Sequence, residues 1–336
     1  MITNNNTLMV TIQCFTYNQE SYIRKCLDGF ITQKTNFSFE AIVHDDASTD
    51  GTPDIIREYA TKYPDIIKPI YEIENQFSKQ DGSLRKIMNA HTHGKYVAIC
   101  EGDDYWTDPQ KLQRQVDFLE KHPDNVMVCN RTKLYSEQKH QFIDDNCCYN
   151  TSQPVNVRDV ILKGGLFLST CSLLYRRQIL PSTLPNYWMK CHVGDYPLQI
   201  HAAMKGGIYY INDAMSVYRV ENNASWIGHR KKISIDKLIA TVKSEVQMLK
   251  GFATENPRYK PFFLQRIRLF INTQYPYKTA TPNDLQKYLE AFKEDILQYD
   301  TLSKIDIKMR SSHFYLLRAL RPYKFKSLLQ KLHIIY

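Results

Sequence analysis

Several signals that would place the chain in other protein classes are missing from its 336 residues. No Cys-x-x-Cys pair occurs among the eight cysteines, and no apolar run reaches the roughly 18 residues that a membrane-spanning helix needs. The first seven residues carry no charged side chain, unlike the basic start of a signal peptide. These absences predict a cytoplasmic protein whose cysteines remain free, buried thiols.

Glycine is also scarce, with 12 residues in the whole chain. No glycine occurs in residues 15–19, directly after the first predicted strand. A sugar-nucleotide pyrophosphorylase would need a glycine-rich, basic phosphate loop at that position. A sugar-nucleotide pyrophosphorylase is therefore disfavoured.

Charge is distributed unevenly along the chain. Residues 1–230 carry a net charge of −2, whereas residues 231–336 carry +11. We therefore expect two regions with different roles, one large domain over 1–230 and a basic helical region over 231–336.

The C-terminal residues 310–336 contain six basic and no acidic side chains, interleaved with aromatic residues and leucines. This composition fits an element that docks on an anionic membrane surface. It fits equally well a helical appendage that packs its apolar stripe on the protein. No known nucleic-acid-binding motif is present, so nucleic acid is not an expected partner.

Short apolar runs alternate with helical patterns over the first two thirds of the chain, which indicates an α/β fold around a mostly parallel sheet. Polar residues 131–155 predict a long loop or irregular hairpin, and 164–176 a buried strand. Only helical patterns follow residue 231. The predicted strands are 8–14, 39–44, 66–72 and 96–100, and the predicted helices are 20–33, 52–63, 82–93, 109–121 and 196–205.

Polar residues follow three of the predicted strands, where an open α/β sheet binds its ligands. The second strand is followed by Asp45 and Asp46, whose carboxylates could accept hydrogen bonds from a base or a ribose. The alternative is helix capping, which we assign to residues 48–50.

The fourth strand is followed by Glu101, Asp103 and Asp104. Three carboxylates within four residues repel one another, and a divalent cation such as Mg²⁺ or Mn²⁺ would relieve that repulsion. The alternative is a solvated loop before the next helix, for which Asp108 alone would suffice.

Together, the segments 10–18, 45–52 and 101–106 resemble the family 2 glycosyltransferases, an inverting group that builds bacterial surface polysaccharides. The resemblance covers residues 8–230. It implies a GT-A-type, Rossmann-like sheet flanked by helices, with the C-terminal helices as an appendage. It also implies a nucleotide-diphosphate sugar as donor, a saccharide or lipid-linked saccharide as acceptor, and Mn²⁺ or Mg²⁺ as cofactor.

Carried over to this chain, the resemblance implies specific roles. Thr16 and Tyr17 would line the nucleobase pocket with Asp45, and Asp46 would accept the base N–H. Asp103 would lie near the ribose and the metal ion. The predicted metal ligand of the family's acidic motif is Asp104, whereas Glu101 stands where aspartate is commoner and has no assigned role.

Residues 194–198 resemble the segment that presents the family's catalytic base. Asp195 would take the proton of the attacking acceptor hydroxyl. The alternative is an N-cap for the following helix, and both roles can coexist. The neighbouring His192 is interpreted as a polar wall residue.

Residues 218–226 resemble the family's closing motif. Arg219 would contact the diphosphate, and Glu221, at a position often held by histidine, would reach the metal ion. The non-enzymatic alternative is a membrane-surface carbohydrate-binding protein without catalysis, against which the retained Asp46, Asp104 and Asp195 argue. A lipid-linked acceptor would place the enzyme peripherally on the inner face of the plasma membrane.

Overall fold

The computed structural model of the chain describes residues 8–79, 81–181, 183–221, 233–276 and 280–297. The chain divides into two compact units, Met1–Ile233 and Ser234–Tyr336. The basic segment 310–336 lies outside the described residues. In the described part, every helix is too short or too polar to cross a bilayer.

The first unit is built on one mixed sheet. Its main strand order is β3-β2-β1-β4-β9-β6-β10-β5, with β7 beside β6 and β8 beside β10. Strands β3, β2, β1 and β4 are parallel, and so are β6 and β10, while β5, β7, β8 and β9 each pair antiparallel. The strands are β1 Leu8–Thr16, β2 Ser38–Asp45, β3 Ile67–Tyr71, β4 Tyr96–Ile99, β5 Tyr105–Trp106, β6 Met127–Ser136, β7 Gln141–Asn146, β8 Gln153–Val155, β9 Leu174–Arg176 and β10 Ile208–Val220.

Helices connect the parallel strands, as the alternating pattern predicts. Apolar side chains of β1 and β4 are buried against α1 and α4, so the parallel part of the sheet is covered by helices. The mostly parallel α/β fold is therefore confirmed. The helices of this unit are α1 Glu20–Ile31, α2 Thr52–Lys62, α3 Ser83–Ala90, α4 Lys111–Lys121, α5 Val157–Lys163, α6 Asn186–Met189 and α7 Asp195–Lys205.

The second unit is helical in its described part, in agreement with the sequence pattern. Phe252 and Phe263 stack with ring centroids 6.2 Å apart and join its first two helices. A Thr281–Asp284 capping box begins the third helix. The helices are α8 Ile235–Glu255, α9 Lys260–Thr273, α10 Pro282–Ala291 and α11 Lys293–Leu297.

One predicted strand is wrong. The sequence predicts a strand over 164–176, but only Leu174–Arg176 pairs in the sheet. Gly164 has φ +81°, and 3₁₀ turns at Gly165–Phe167 and Thr170–Ser172 follow it. Most apolar side chains of this segment, such as Phe167 and Leu168, are buried without strand pairing, whereas Leu166 is exposed. The prediction failed because an apolar run alone does not distinguish a strand from a packed turn.

Helices α1 and α2 begin side by side, and each provides caps for the other. The Asp50 carboxylate accepts hydrogen bonds from the backbone N–H of Thr52 and of Glu20, both at 3.0 Å. In return, Glu20 Oε2 accepts the Gly51 N–H at 3.0 Å, and Thr52 Oγ1 accepts the Gln19 N–H at 2.8 Å. This exchange satisfies the backbone N–H groups of Gln19, Glu20, Gly51 and Thr52 at the starts of the two helices.

The loops before these two helices are joined by further bonds. Ser48 Oγ accepts the Asn18 N–H at 2.9 Å, and Asn18 Oδ1 accepts the Thr49 N–H at 2.8 Å. The predicted capping of α2 by residues 48–50 is confirmed for Asp50, whereas Ser48 reaches across to the other loop.

We expect Asp50→Ala to lower the free energy of unfolding by about 2 kcal/mol, since one carboxylate caps two helices. Thermal unfolding followed by circular dichroism would measure the loss. The exposed Asp65→Ala variant is the matched control and should unfold close to the wild-type temperature. Equal melting temperatures for both variants would contradict the shared cap.

Candidate active site

Three loops meet at the carboxyl ends of β2, β1 and β4. Backbone hydrogen bonds join them directly, from Asp46 N to Thr16 O at 2.9 Å and from Gly102 N to Phe15 O at 2.9 Å. A Cβ at Gly102 would lie 2.4 Å from Gln19 Oε1, so only glycine allows this close packing. The predicted juxtaposition of the three motifs at one sheet edge is present.

The two aspartates after β2 are buried and engaged with backbone N–H groups. Asp46 Oδ1 accepts the Gln76 N–H at 2.6 Å, and Oδ2 accepts the Phe77 N–H at 3.0 Å. Asp45 Oδ2 accepts the Ser48 N–H at 3.3 Å. Both carboxylates therefore shape the loops that border the sheet edge, and their contact with a nucleotide stays a prediction.

The residues predicted to face the base stand next to these aspartates. Tyr17 is 43% exposed, so one aromatic ring is available to a ligand at this edge. Thr16 is buried, and its hydroxyl donates to the His44 carbonyl at 3.1 Å. Thr16 thus contributes to the wall and Tyr17 to the accessible surface.

The acidic loop after β4, residues 101–104, buries Asp104 almost completely. Asp104 Oδ1 accepts the Arg219 backbone N–H at 2.8 Å, while Oδ2 is buried without a hydrogen-bond partner. Burial raises the pKa of Asp104 well above its ordinary value, and the charges of Asp103 and Glu101 raise it further. Burial, Asp103 and Asp195 together raise the pKa of Glu101 to about 8.

No group of three or more His, Cys, Asp or Glu side chains in the described residues is arranged to hold a metal ion. A divalent cation nevertheless fits the acidic loop chemically. The buried Oδ2 of Asp104 lacks a partner, and its neighbours Asp103 and Glu101 add negative charge. Oxygen ligands of this kind are those that Mg²⁺ and Mn²⁺ prefer.

Asp195, the predicted base, begins α7. The N-cap position is held by Gly194, so the Asp195 carboxylate lies in the first helical turn, where the helix dipole favours negative charge. Its Oδ2 accepts the Thr170 hydroxyl at 3.3 Å. Its charge also contributes to the raised pKa of Glu101, so the start of α7 lies near the acidic loop.

Arg85 on α3 lies near Asp195. The sequence does not reveal it as a site residue, since no motif surrounds it. Its guanidinium lies 5.9 Å from the Trp188 ring centroid and close to Gly194. Burial raises the pKa of Asp195, while the Thr170 hydroxyl and the Arg85 charge lower it. Arg85 therefore favours the ionised form of the Asp195 carboxylate.

The two predicted residues at the end of β10 have partners within the protein. Arg219 Nε donates to the Asp103 carbonyl at 2.6 Å, and Nη1 donates to Glu137 at 3.0 Å. Glu221, with φ +61°, accepts a hydrogen bond from the Ser136 hydroxyl. Their predicted contacts with diphosphate and metal ion stay predictions, and residues 222–226 of the closing motif lie outside the described residues.

The sequence profile of the family described as Glycosyl transferase family 2 matches residues 12–183, just over half of the chain. The chain belongs to this family. The resemblance inferred from the three strand-end motifs is confirmed, and the matched residues include both acidic loops.

Relatives of this family 2 glycosyltransferase occur in Mycobacterium tuberculosis and Bacillus subtilis. An uncharacterized protein of Mycobacterium tuberculosis is 36% identical over 222 residues, which are 65% of this chain and 60% of that protein. The minor teichoic acid biosynthesis protein GgaB of Bacillus subtilis is 23% identical over 333 residues, covering 91% of this chain and 34% of GgaB. The chain thus matches less than two thirds of the length of these relatives.

A solved structure supports the fold. The mannosyltransferase PcManGT from Pyrobaculum calidifontis, in complex with GDP-Man and Mn²⁺, has a TM-score of 0.52 and 19% identity. The match covers 97% of this chain and 85% of that one. The predicted GT-A fold of the glycosyltransferase is confirmed.

We expect Asp104→Asn to stabilise the metal-free protein above neutral pH. A carboxyl whose pKa is raised on folding contributes stability below its unfolded pKa and loses it as pH rises through the folded pKa. The amide keeps the hydrogen bond from Arg219 and removes the buried charge. Melting temperatures measured with EDTA from pH 5 to pH 9 should fall less steeply for the variant than for wild type.

The exposed Asp117→Asn variant on α4 is the control and should follow the wild-type curve. Added Mn²⁺ should raise the melting temperature of wild type and of this control, and leave Asp104→Asn nearly unchanged. If the melting temperatures of Asp104→Asn instead follow the wild-type curve with and without Mn²⁺, the pKa of Asp104 is not raised on folding and Asp104 does not bind the cation.

Proposed function

We propose that this glycosyltransferase moves a sugar from a nucleotide-diphosphate donor to a saccharide acceptor, with inversion at the anomeric carbon. The observation that carries the proposal is the proximity of Asp195 to the acidic loop. The Asp195 carboxylate can activate the acceptor while the acidic loop receives the departing diphosphate. The family assignment supports the same reaction class.

Asp195 is the proposed general base. The acceptor hydroxyl loses its proton to the carboxylate as its oxygen attacks the anomeric carbon and the bond to the diphosphate breaks. The Thr170 hydroxyl donates to Oδ2, and the charge of the nearby Arg85 offsets part of the effect of burial on the pKa of the carboxylate. One direct displacement of this kind inverts the anomeric configuration.

The nucleoside part of the donor is proposed to lie over the ends of β1 and β2. Tyr17 offers an exposed ring for stacking, and Thr16 and Asp45 form the floor. The engaged oxygens of Asp46 retain lone pairs, so a base N–H can still be accepted alongside the backbone N–H groups.

Asp104 and Asp103 are the proposed ligands of a divalent cation, with Glu221 as a further candidate. When bound, Mn²⁺ or Mg²⁺ would neutralise charge on the leaving diphosphate. PcManGT, which shares the fold, is in complex with GDP-Man and Mn²⁺. The unpartnered Oδ2 of Asp104 supports the same use here.

The proposed pathway is the synthesis of a surface polysaccharide. Support comes from GgaB, whose name assigns it to minor teichoic acid biosynthesis and which aligns with 91% of this chain. A lipid-linked acceptor on the cytoplasmic face of the membrane is proposed because the basic residues 310–336 suit an anionic surface.

We expect Asp195→Asn to lower turnover by at least about a hundredfold while donor binding stays near wild type, since a base acts in the transition state. A screen of UDP-, GDP- and dTDP-sugars by Mn²⁺-dependent thermal stabilisation would first identify the donor. Calorimetry and turnover assays would then separate binding from chemistry. Near-wild-type turnover of the variant would assign the proton to another group.

The same base predicts a pH dependence. Because the pKa of Asp195 is raised, kcat/KM should fall as the pH is lowered through that value. Arg85→Met removes a charge that lowers this pKa, so the acid limb should move to higher pH. Lys86→Met, an exposed change on the same helix, should leave the profile in place. An unmoved acid limb in Arg85→Met would separate Arg85 from the base.

We expect the full-length protein to bind anionic liposomes weakly and reversibly, because each basic residue near such a surface contributes on the order of 1 kcal/mol. Added salt should release it. Sedimentation with phosphatidylglycerol vesicles would measure binding of two triple lysine-to-glutamine variants. The test variant changes Lys324, Lys326 and Lys331, and the control changes the exposed Lys62, Lys121 and Lys139.

Only the test variant should lose vesicle binding, and both should keep donor binding. If wild type ignores the vesicles at low salt, a soluble acceptor replaces the lipid-linked one in the proposal.

A further inference from the structure

The Arg219 side chain is buried, at 7% exposure, where four parts of the first unit converge. Nε donates to the Asp103 carbonyl of the acidic loop at 2.6 Å, and Nη1 donates to Glu137, beside the β6–β7 turn, at 3.0 Å. The guanidinium carbon lies 4.7 Å from the ring centroid of Tyr105 and 5.1 Å from that of Tyr22 on α1.

The backbone of the same residue orients the neighbouring carboxylate. The Arg219 N–H donates to Asp104 Oδ1 at 2.8 Å, while the other carboxylate oxygen, Oδ2, is buried without a hydrogen-bond partner. The Arg219 backbone therefore binds Asp104 and its side chain binds Asp103, two consecutive residues of the acidic loop. Two of the three guanidinium nitrogens donate hydrogen bonds within the protein, and the guanidinium lies near two aromatic rings. The Arg219 side chain is therefore preorganised to support the acidic loop.

We infer that Arg219 is a positioning residue, which holds the Asp103–Asp104 segment against β10 and the β6–β7 hairpin, and that it does not contact the donor diphosphate. The inference deepens the proposed function, on which it rests for the role of the acidic loop. It replaces the diphosphate contact that the motif alone predicts for this residue.

Lysine at this position separates the two roles. Arg219→Lys keeps the positive charge but cannot donate simultaneously to the Asp103 carbonyl and the Glu137 carboxylate in the planar geometry of a guanidinium. If Arg219 held the diphosphate, lysine would replace a bidentate guanidinium contact by a single ammonium contact, and pyrophosphate binding would weaken. Because the charge near the acidic loop is unchanged in Arg219→Lys, a change in Mn²⁺ affinity would indicate a change in the geometry of the loop.

The first experiment needs no ligand. Melting temperatures of wild type, Arg219→Lys, Glu137→Gln and the double variant form a mutant cycle. We expect the double variant to lose less than the two single losses added together, since both changes break one contact. Strictly additive losses would show that the Arg219–Glu137 contact does not stabilise the protein. They would overturn the inference without contradicting the glycosyltransferase function.

The second experiment titrates the same proteins by calorimetry with Mn²⁺ alone, and then with inorganic pyrophosphate at saturating Mn²⁺. We expect Arg219→Lys and Glu137→Gln to weaken Mn²⁺ binding roughly tenfold, as changes to supporting residues do, with pyrophosphate affinity within about twofold of wild type. Pyrophosphate affinity stays because Arg219 makes no contact with the diphosphate, whereas Mn²⁺ affinity falls because lysine cannot replace the planar support of the acidic loop.

The opposite pattern would overturn the inference: unchanged Mn²⁺ affinity, weaker pyrophosphate binding in Arg219→Lys, and stronger binding in Glu137→Gln, where Arg219 would be released toward the ligand. Absence of Mn²⁺ binding in wild type would count against the proposed metal-assisted function, and the mutant cycle would then decide the positioning role by itself.

Discussion

Burial of carboxylates at the carboxyl end of β4 is the constraint on which the rest of this site depends. Glu101, Asp103 and Asp104 are brought together by chain geometry, and both burial and the neighbouring charges oppose the ionisation of Glu101 and Asp104. The Arg219 backbone N–H binds one oxygen of Asp104 and its guanidinium binds the Asp103 carbonyl, but the second oxygen of Asp104 has no partner. A cation would favour the ionised carboxylates, which makes the loop suitable for one.

Such a loop keeps its shape only if the neighbouring loops are rigid. Reciprocal capping between α1 and α2 ties the β1 and β2 loops together through Asp50 and Glu20. Gly102 then packs against Gln19 at a distance that excludes any side chain. The stability of two helix starts is in this way coupled to the geometry of the acidic loop, because the same short segments serve both.

The parts of the fold that follow from local periodicity could be predicted from the sequence. Strands β1, β2 and β4 and their polar ends belong to this class, since alternation of apolar runs and helices fixes their order. The segment 164–176 could not, because most of its apolar residues are buried in or beside turns that follow Gly164, which has φ +81°. Arg85 could not either, because it reaches Asp195 only through packing between distant helices.

The observed contacts differ most from the roles that the motifs predict at Asp46 and Arg219. Their hydrogen-bond partners explain the difference. A motif specifies which residue stands at a strand end, whereas hydrogen-bond partners such as the Gln76 N–H or the Glu137 carboxylate come from elsewhere in the chain. A buried charged group must be satisfied before any ligand arrives. A residue at a strand end can therefore hold its loop through such bonds, as Asp46 does, and a ligand is left the acceptor capacity that those bonds do not use, such as Oδ2 of Asp104.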